Sequence, residues 1–99
     1  MTLTDKQQMV LETLVKGNPD GSFLDLDELI QGVPYETTKA SIQFIIRNLI
    51  GKGLIYKQTS EKRRARRRVV ISPTTDGYDF IARKRLASHE VFSGILFEN

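Results

Sequence analysis

Leu49-Ile50-Gly51-Lys52-Gly53-Leu54-Ile55 decides the fold, because an amphipathic helix ends in this stretch and a strand begins in it. On the helix side, apolar residues recur on one face at 3.6-residue spacing: Ile42, Ile45, Ile46 and Leu49. The two glycines are typical of a helix C-terminus. The β-rich run Leu54–Gln58 then predicts a strand.

A second β-rich run, Arg68–Ser72, follows the first after a polar loop. Two such runs predict a β-hairpin. The loop contains neither Asn-Gly nor Asp-Gly, so we expect a long tip rather than a tight turn.

Two further helices are predicted upstream. The segment Thr4–Gln7 has the pattern of a capping box and opens a first helix, about Thr4 to Lys16. Either Asp25 or Asp27 can cap a second helix of about two turns, which Gly32 ends.

The segments between these helices leave alternatives open. Ser22–Leu24 can form a short extended stretch. The third helix is expected to begin between Tyr35 and Thr38, with Thr37 or Thr38 as its cap or Pro34 near its start.

A last helix is predicted after the hairpin. Pro73 ends the second strand, and Thr75 is expected to cap the helix. Tyr78, Ile81 and Ala82 are expected to share its apolar face.

Positive charge is concentrated in one segment, Lys57–Arg68. This segment has seven basic residues and one acidic residue and carries +6, whereas the whole chain of 99 residues carries +3. The other 87 residues therefore carry −3, from 8 basic and 11 acidic residues. Positive charge concentrated in one segment suits binding to a polyanion, because phosphates that are neutralised by the protein release their condensed counterions.

Composition argues against several other classes of protein. Cysteine is absent, which excludes disulfides and thiolate chemistry. Neither a secretory signal nor an apolar run of about 20 residues is found, so we expect a soluble, cytoplasmic protein. His89 is the single histidine, and the acidic cluster Asp25, Asp27 and Glu28 suits helix capping. We therefore predict no enzyme, no metal and no cofactor.

The segment Leu49–Ile55 is similar to the L-x-x-x-G-L-(I/V) pattern that closes the recognition helix of winged-helix regulators. Val69–Gly77 resembles the strand, threonine and glycine sequence after the wing of MarR-like repressors, and small phage regulators are similar too. The resemblance covers about Leu3 to Leu86 and is strongest from Ile42 to Gly77. It implies an α+β winged helix-turn-helix, with a three-helix core, a β-hairpin wing and a C-terminal helix.

Two departures from the MarR-like pattern limit what the resemblance implies. The wing lacks the acidic member of the family's Asp-Arg pair, since Arg63-Arg64 and Arg66-Arg67 stand without it. The long helices that flank the family's core have no clear counterpart here. We therefore do not predict a small-molecule sensing site.

The exposed face of the third helix is the first candidate DNA-binding site, because the second helix of a helix-turn-helix enters the major groove. Gln43 can pair with adenine, and Arg47 with guanine or a phosphate. Ala40 or Phe44 can contact a thymine methyl group, and a ring as large as Phe44 should be covered by something. The alternative is a solvated helix face. The candidate residues are Thr37, Thr38, Lys39, Ala40, Gln43, Phe44 and Arg47.

The basic loop is the second candidate site. Arginine side chains can follow phosphates or enter a narrow A·T minor groove. Charges this close repel one another unless a polyanion offsets them, which favours nucleic-acid contact over a solvated loop. The candidates are Lys62, Arg63, Arg64, Arg66, Arg67 and Arg68.

Residues 1–87 are predicted to form the winged-helix domain, followed by an apolar tail, residues 88–99. The tail can complete the core or form a dimer or partner surface, and we favour a dimer contact. We predict a phage or prokaryotic transcription regulator that binds specific double-stranded DNA as a homodimer. The alternatives are an RNA-binding winged helix, which few exposed aromatic residues support, and a phage or host protein-interaction module.

Overall fold

The computed structural model describes residues 2–59 and 69–85. The predicted wing residues 62–68 and the tail 88–99 lie outside the described residues. The elements follow the order α1 (Asp5–Lys16), β1 (Leu24–Asp25), α2 (Leu26–Gly32), α3 (Lys39–Gly51), β2 (Ile55–Thr59) and β3 (Val69–Pro73). A fourth helix, α4, occupies residues 75–85. The predicted α+β winged helix-turn-helix is confirmed.

Reciprocal capping boxes begin the first two helices. The Thr4 hydroxyl accepts a hydrogen bond from the Gln7 N–H at 3.2 Å, and the Gln7 side chain accepts one from the Thr4 N–H at 3.1 Å. Asp25 and Glu28 make the same pair at 2.8 and 3.1 Å. The cap of α2 is therefore Asp25, and the alternative Asp27 is wrong.

Thr38 caps α3. Its hydroxyl accepts from the Ser41 N–H at 3.2 Å and donates to the Ser41 hydroxyl at 3.1 Å. Thr37 and Pro34 therefore do not begin the helix, which settles the alternatives that the sequence left open.

The start of α4 differs from the prediction. Thr74, not Thr75, supplies the capping hydroxyl, which accepts from the Gly77 N–H at 3.1 Å and donates to the Gly53 carbonyl at 2.7 Å. Strand β3 ends at Pro73 and α4 begins at residue 75, so Thr74 is the single residue between them and Thr75 lies inside the helix.

The inner face of α4 is also shifted. Gly77 and Ile81 are buried one turn apart, whereas Tyr78 and Ala82 are exposed. The predicted placement of Tyr78 and Ala82 on the apolar face is therefore wrong. The reason is the close approach of the first turn of α4 to Leu54: the Leu54 carbonyl accepts from the Thr74 N–H at 3.0 Å, which sets the rotation of the helix.

The three strands form one antiparallel sheet in the order β1-β3-β2. The hairpin register runs from Ile55 opposite Pro73 to Thr59 opposite Val69, which confirms the predicted hairpin with strands that begin one residue later. Strand β1 pairs with the other edge of β3. The sequence indicated an extended stretch there but not this pairing.

The core lies between the helices and one face of the sheet. Each fully buried aliphatic side chain contributes roughly 1.5–3 kcal/mol to folding. The apolar face predicted for α3 is buried, and Val10, Leu11 and Leu14 form the buried face of α1. The cluster consists of Val10, Leu11, Leu14, Leu24, Leu29, Val33, Ile42, Ile45, Ile46, Leu49, Leu54, Ile55, Ile71 and Ile81.

Candidate nucleic-acid interface

Helices α2 and α3 form the helix-turn-helix. The Val33 N–H donates to the Leu29 carbonyl at 3.1 Å as the last bond of α2. Val33 then has extended backbone, with φ −68° and ψ 143°, as the following Pro34 requires. Because Val33 is also buried, the turn is anchored to the core. The position of α3 relative to α2 is thereby fixed.

The described residues leave the outer face of α3 exposed. Its apolar side, with Ile42 and Leu49 fully buried, packs against α1 and α2. Seven of the residues predicted for DNA contact belong to this helix or the loop before it; six of them are exposed, and Thr37 is half-buried in the loop. The exposed residues are Thr38, Lys39, Ala40, Gln43, Phe44 and Arg47.

Phe44 is the most conspicuous of these side chains. At 62% exposure, it is the most exposed of the large apolar side chains in the described part of the chain. It borders an open groove of about 500 Å³ between the N-terminus of α1 and α3. The groove is lined by Thr4, Lys6, Gln7, Ala40, Ser41, Phe44, Ile45 and Asn48.

The α1 residues beside this groove were not predicted. Lys6 lies with its Nζ atom 5.6 Å from the centre of the Tyr35 ring, a distance that permits a cation–π interaction. Burial raises the pKa of the Tyr35 hydroxyl above its ordinary value. No local pattern places the start of α1 beside the helix-turn-helix, because that neighbourhood depends on how α1 packs against α3.

The described part of the hairpin includes the N-terminal end of the basic segment. Lys57 is exposed on β2, and Thr59 pairs with Val69 at the last described pair of the hairpin. The chain from residue 60 to residue 68 joins the two strands. The six basic residues predicted there, Lys62, Arg63, Arg64, Arg66, Arg67 and Arg68, lie outside the described residues.

Within residues 2–59 and 69–85, no group of three or more His, Cys, Asp or Glu side chains is placed to hold a metal ion. In the same ranges, no helix has the length and hydropathy needed to cross a bilayer.

Comparison with solved structures relates this arrangement to known proteins. S. aureus MepR bound to ethidium bromide matches 100% of this chain with a TM-score of 0.80 and 21% identity. The S. aureus MepR–DNA complex matches 98% of it with a TM-score of 0.69 and 22% identity. At 21% and 22% identity, these two MepR structures establish the fold and no more. The chain has a winged-helix fold.

The same fold occurs in Bordetella bronchiseptica BpsR, whose DNA binding is regulated by 6-hydroxynicotinic acid (TM-score 0.69, 18% identity, 94% of this chain covered). MepR and BpsR are winged-helix DNA-binding regulators of the MarR family. The chain spans 66% of the length of these MepR chains and 61% of the BpsR chain. No protein-family model and no curated protein matches the sequence.

Proposed function

We propose that the protein is a transcription regulator that binds specific sequences in double-stranded DNA, with α3 in the major groove. The observation that carries this proposal is the exposed outer face of α3 within a helix-turn-helix. Lys39, Gln43 and Arg47 are exposed there and can contact phosphates or base edges. The fold likeness to MepR, which has been solved with DNA, supports the same assignment.

The basic segment Lys57–Arg68 supplies affinity in this proposal. Its charge of +6 contrasts with the −3 of the other residues, so this segment makes the largest contribution to the attraction to phosphate. Lys62, Arg63, Arg64, Arg66, Arg67 and Arg68 contact the backbone or enter the minor groove. These contacts set affinity rather than sequence choice, since phosphates are the same along the duplex.

Thr37 and Thr38 have different places in the proposal. The Thr38 hydroxyl already donates and accepts in the helix cap, so its main contribution is to hold the N-terminus of α3 in place. Thr37 precedes the cap and is half-buried, which suits a backbone phosphate contact.

Binding to DNA selected from a random pool, measured by fluorescence anisotropy at several salt concentrations, tests the proposal. If the hairpin makes about five phosphate contacts, the logarithm of affinity should fall against the logarithm of salt with a slope of about −4 to −5. Neutralising Arg63, Arg64, Arg66 and Arg67 should flatten that slope. Arg47→Ala should instead weaken sequence preference, by roughly 1–3 kcal/mol at one base pair.

Lys16 provides a matched control, since it is an exposed basic residue at the far end of α1. Lys16→Ala should leave both the slope and the preference unchanged. Absence of binding to any duplex at low salt would contradict the proposal. Stronger competition by structured RNA than by duplex DNA would favour the RNA-binding alternative instead.

We also propose that residues 1–87 form the DNA-binding domain and that the tail, residues 88–99, contributes a homodimer contact. The apolar residues Val91, Phe92, Ile95, Leu96 and Phe97 motivate this assignment. A dimeric regulator acting in the cytoplasm would bind a palindromic operator. Sedimentation of a variant lacking Val91–Asn99 tests it: loss of the dimer is expected, whereas loss of another protein partner with the dimer intact would favour the interaction-module alternative.

A further inference from the structure

The outer face of α3 carries two apolar side chains, Ala40 and Phe44. They are four residues apart and therefore lie next to each other on one side of the helix. Both are exposed, Phe44 to 62%. Because α3 begins at Lys39, Ala40 lies in its first turn and Phe44 in its second. A recognition helix presents this N-terminal part to the base edges.

The chemistry of the major groove restricts what such a pair can contact. Each base pair presents hydrogen-bond donors and acceptors there, and the thymine 5-methyl group is the apolar feature of this pattern. Neither Ala40 nor Phe44 has a side-chain atom that can donate or accept a hydrogen bond. Placing the Phe44 ring against a donor or acceptor would remove water from that group without replacing its hydrogen bond, which is unfavourable.

The surroundings of Phe44 fit a nucleic acid. Polar side chains of Thr4, Gln7 and Asn48 line the adjacent groove together with the cation of Lys6, and none of the described residues that line it is acidic. This composition suits a polar, negatively charged surface in which the apolar spot is small.

We infer that Ala40 and Phe44 recognise thymine 5-methyl groups, so that the operator contains one or two adjacent thymines opposite the first two turns of α3. This inference rests on the proposed DNA-binding function and specifies its base preference. Burying one methyl group contributes about fourfold in affinity, from the free energy of burying a single carbon unit.

Deoxyuridine provides the probe, since it differs from thymidine only by the missing methyl group. Each thymine of a selected duplex is replaced singly, and affinity is measured by fluorescence anisotropy. For the unmodified protein, we expect a loss of about fourfold at one or two adjacent thymines and little change elsewhere. Phe44→Ala should bind thymine and uracil duplexes equally at one of those positions.

Lys16→Ala is the matched control, because it alters an exposed residue at the far end of α1, outside the proposed interface, and should keep the thymine-to-uracil ratio. Ala40→Ser should reduce the ratio at the second position. Thermal unfolding followed by circular dichroism checks that each variant is folded. Because Phe44 is mostly exposed, its removal should leave the melting temperature nearly unchanged.

Several results would overturn the inference. Equal binding of all uracil duplexes by the unmodified protein would refute it while leaving DNA binding intact. A thymine preference that survives Phe44→Ala and Ala40→Ser would assign the methyl contact to another residue. A switch from dimer to monomer in Phe44→Ala, seen by sedimentation, would show that a second copy covers the ring. Failure to bind any duplex would refute the proposed function and this inference together.

Discussion

Three glycine-to-alanine variants test how the hairpin and α4 are held together. Gly77 is buried in α4, where an added Cβ atom would overlap the Leu54 carbonyl oxygen and lie 3.4 Å from the Pro73 Cβ. That oxygen accepts the 3.0 Å hydrogen bond from Thr74, so the methyl group must displace either the bond or the helix. Overpacking costs roughly 1–3 kcal/mol.

The net effect of Gly77→Ala follows from two further contributions. Weakening a backbone hydrogen bond costs about 1 kcal/mol. Alanine stabilises a helix by about 1 kcal/mol relative to glycine, because its helix propensity is higher. The expected loss of unfolding free energy is therefore about 2 kcal/mol, which lowers the melting temperature by about 8–16 °C for a domain of this size.

Gly51 and Gly53 supply the comparison within the stretch that joins α3 to β2. No atom lies within 4 Å of a Cβ added at Gly51, which is helical, so alanine should raise the unfolding free energy by about 0.5–1 kcal/mol. Gly53 is equally open but has φ +74°. Alanine there should cost about 1–2 kcal/mol, because an L-residue is strained in the left-handed region.

Urea unfolding followed by circular dichroism measures all three variants under one condition. The expected order of stability places Gly51→Ala above the unmodified protein, with Gly53→Ala and Gly77→Ala below it. A Gly77→Ala protein as stable as Gly51→Ala would refute the reasoning, since α4 would then not be packed against the Leu54 carbonyl.

Three further substitutions test local features. Thr38→Ala removes the α3 cap and should cost about 1 kcal/mol in urea unfolding, whereas an unchanged midpoint would mean that another group caps the helix. Tyr35→Phe removes a buried hydroxyl with no hydrogen-bond partner among the described residues, so stability at pH 7 should stay level or rise by up to about 1 kcal/mol. Burial raises the pKa of the Tyr35 hydroxyl in the folded protein above its ordinary value of 10.0. The unmodified protein should therefore lose stability as pH rises above 10.0, because the unfolded chain releases this proton first, and the advantage of Tyr35→Phe should grow there. A difference in unfolding free energy that stays constant with pH would contradict this. Leu49→Ala, at a fully buried position, should cost about 2–5 kcal/mol by thermal unfolding, and a loss below 1 kcal/mol would indicate that the site collapses around the smaller side chain.

Caps and periodic faces were predictable because they depend on residues within one turn of each other. The Thr4–Gln7 capping box and the buried face of α3 are such features. The α4 cap was misplaced by one residue, because Thr74 and Thr75 have the same chemistry. The contacts of Thr74 with the Gly53 and Leu54 carbonyls distinguish them.

The candidate DNA-binding site likewise has one part that the sequence predicts and one part that it does not. The exposed face of α3 follows from helical geometry once the apolar face is known, so Gln43, Phe44 and Arg47 could be named in advance. The groove beside Phe44 could not be predicted, because Thr4 and Gln7 belong to the cap and first turn of α1 and meet α3 only after the core has packed.

By itself, the sequence determined the helices, the hairpin and the concentration of charge, because helix caps, apolar periodicity and net charge are properties of neighbouring residues. The tertiary structure decided the pairing of β1 with β3, the rotation of α4 and the surroundings of Phe44. These depend on contacts between residues far apart in the chain. Such contacts form only when burial of the shared core brings the elements together.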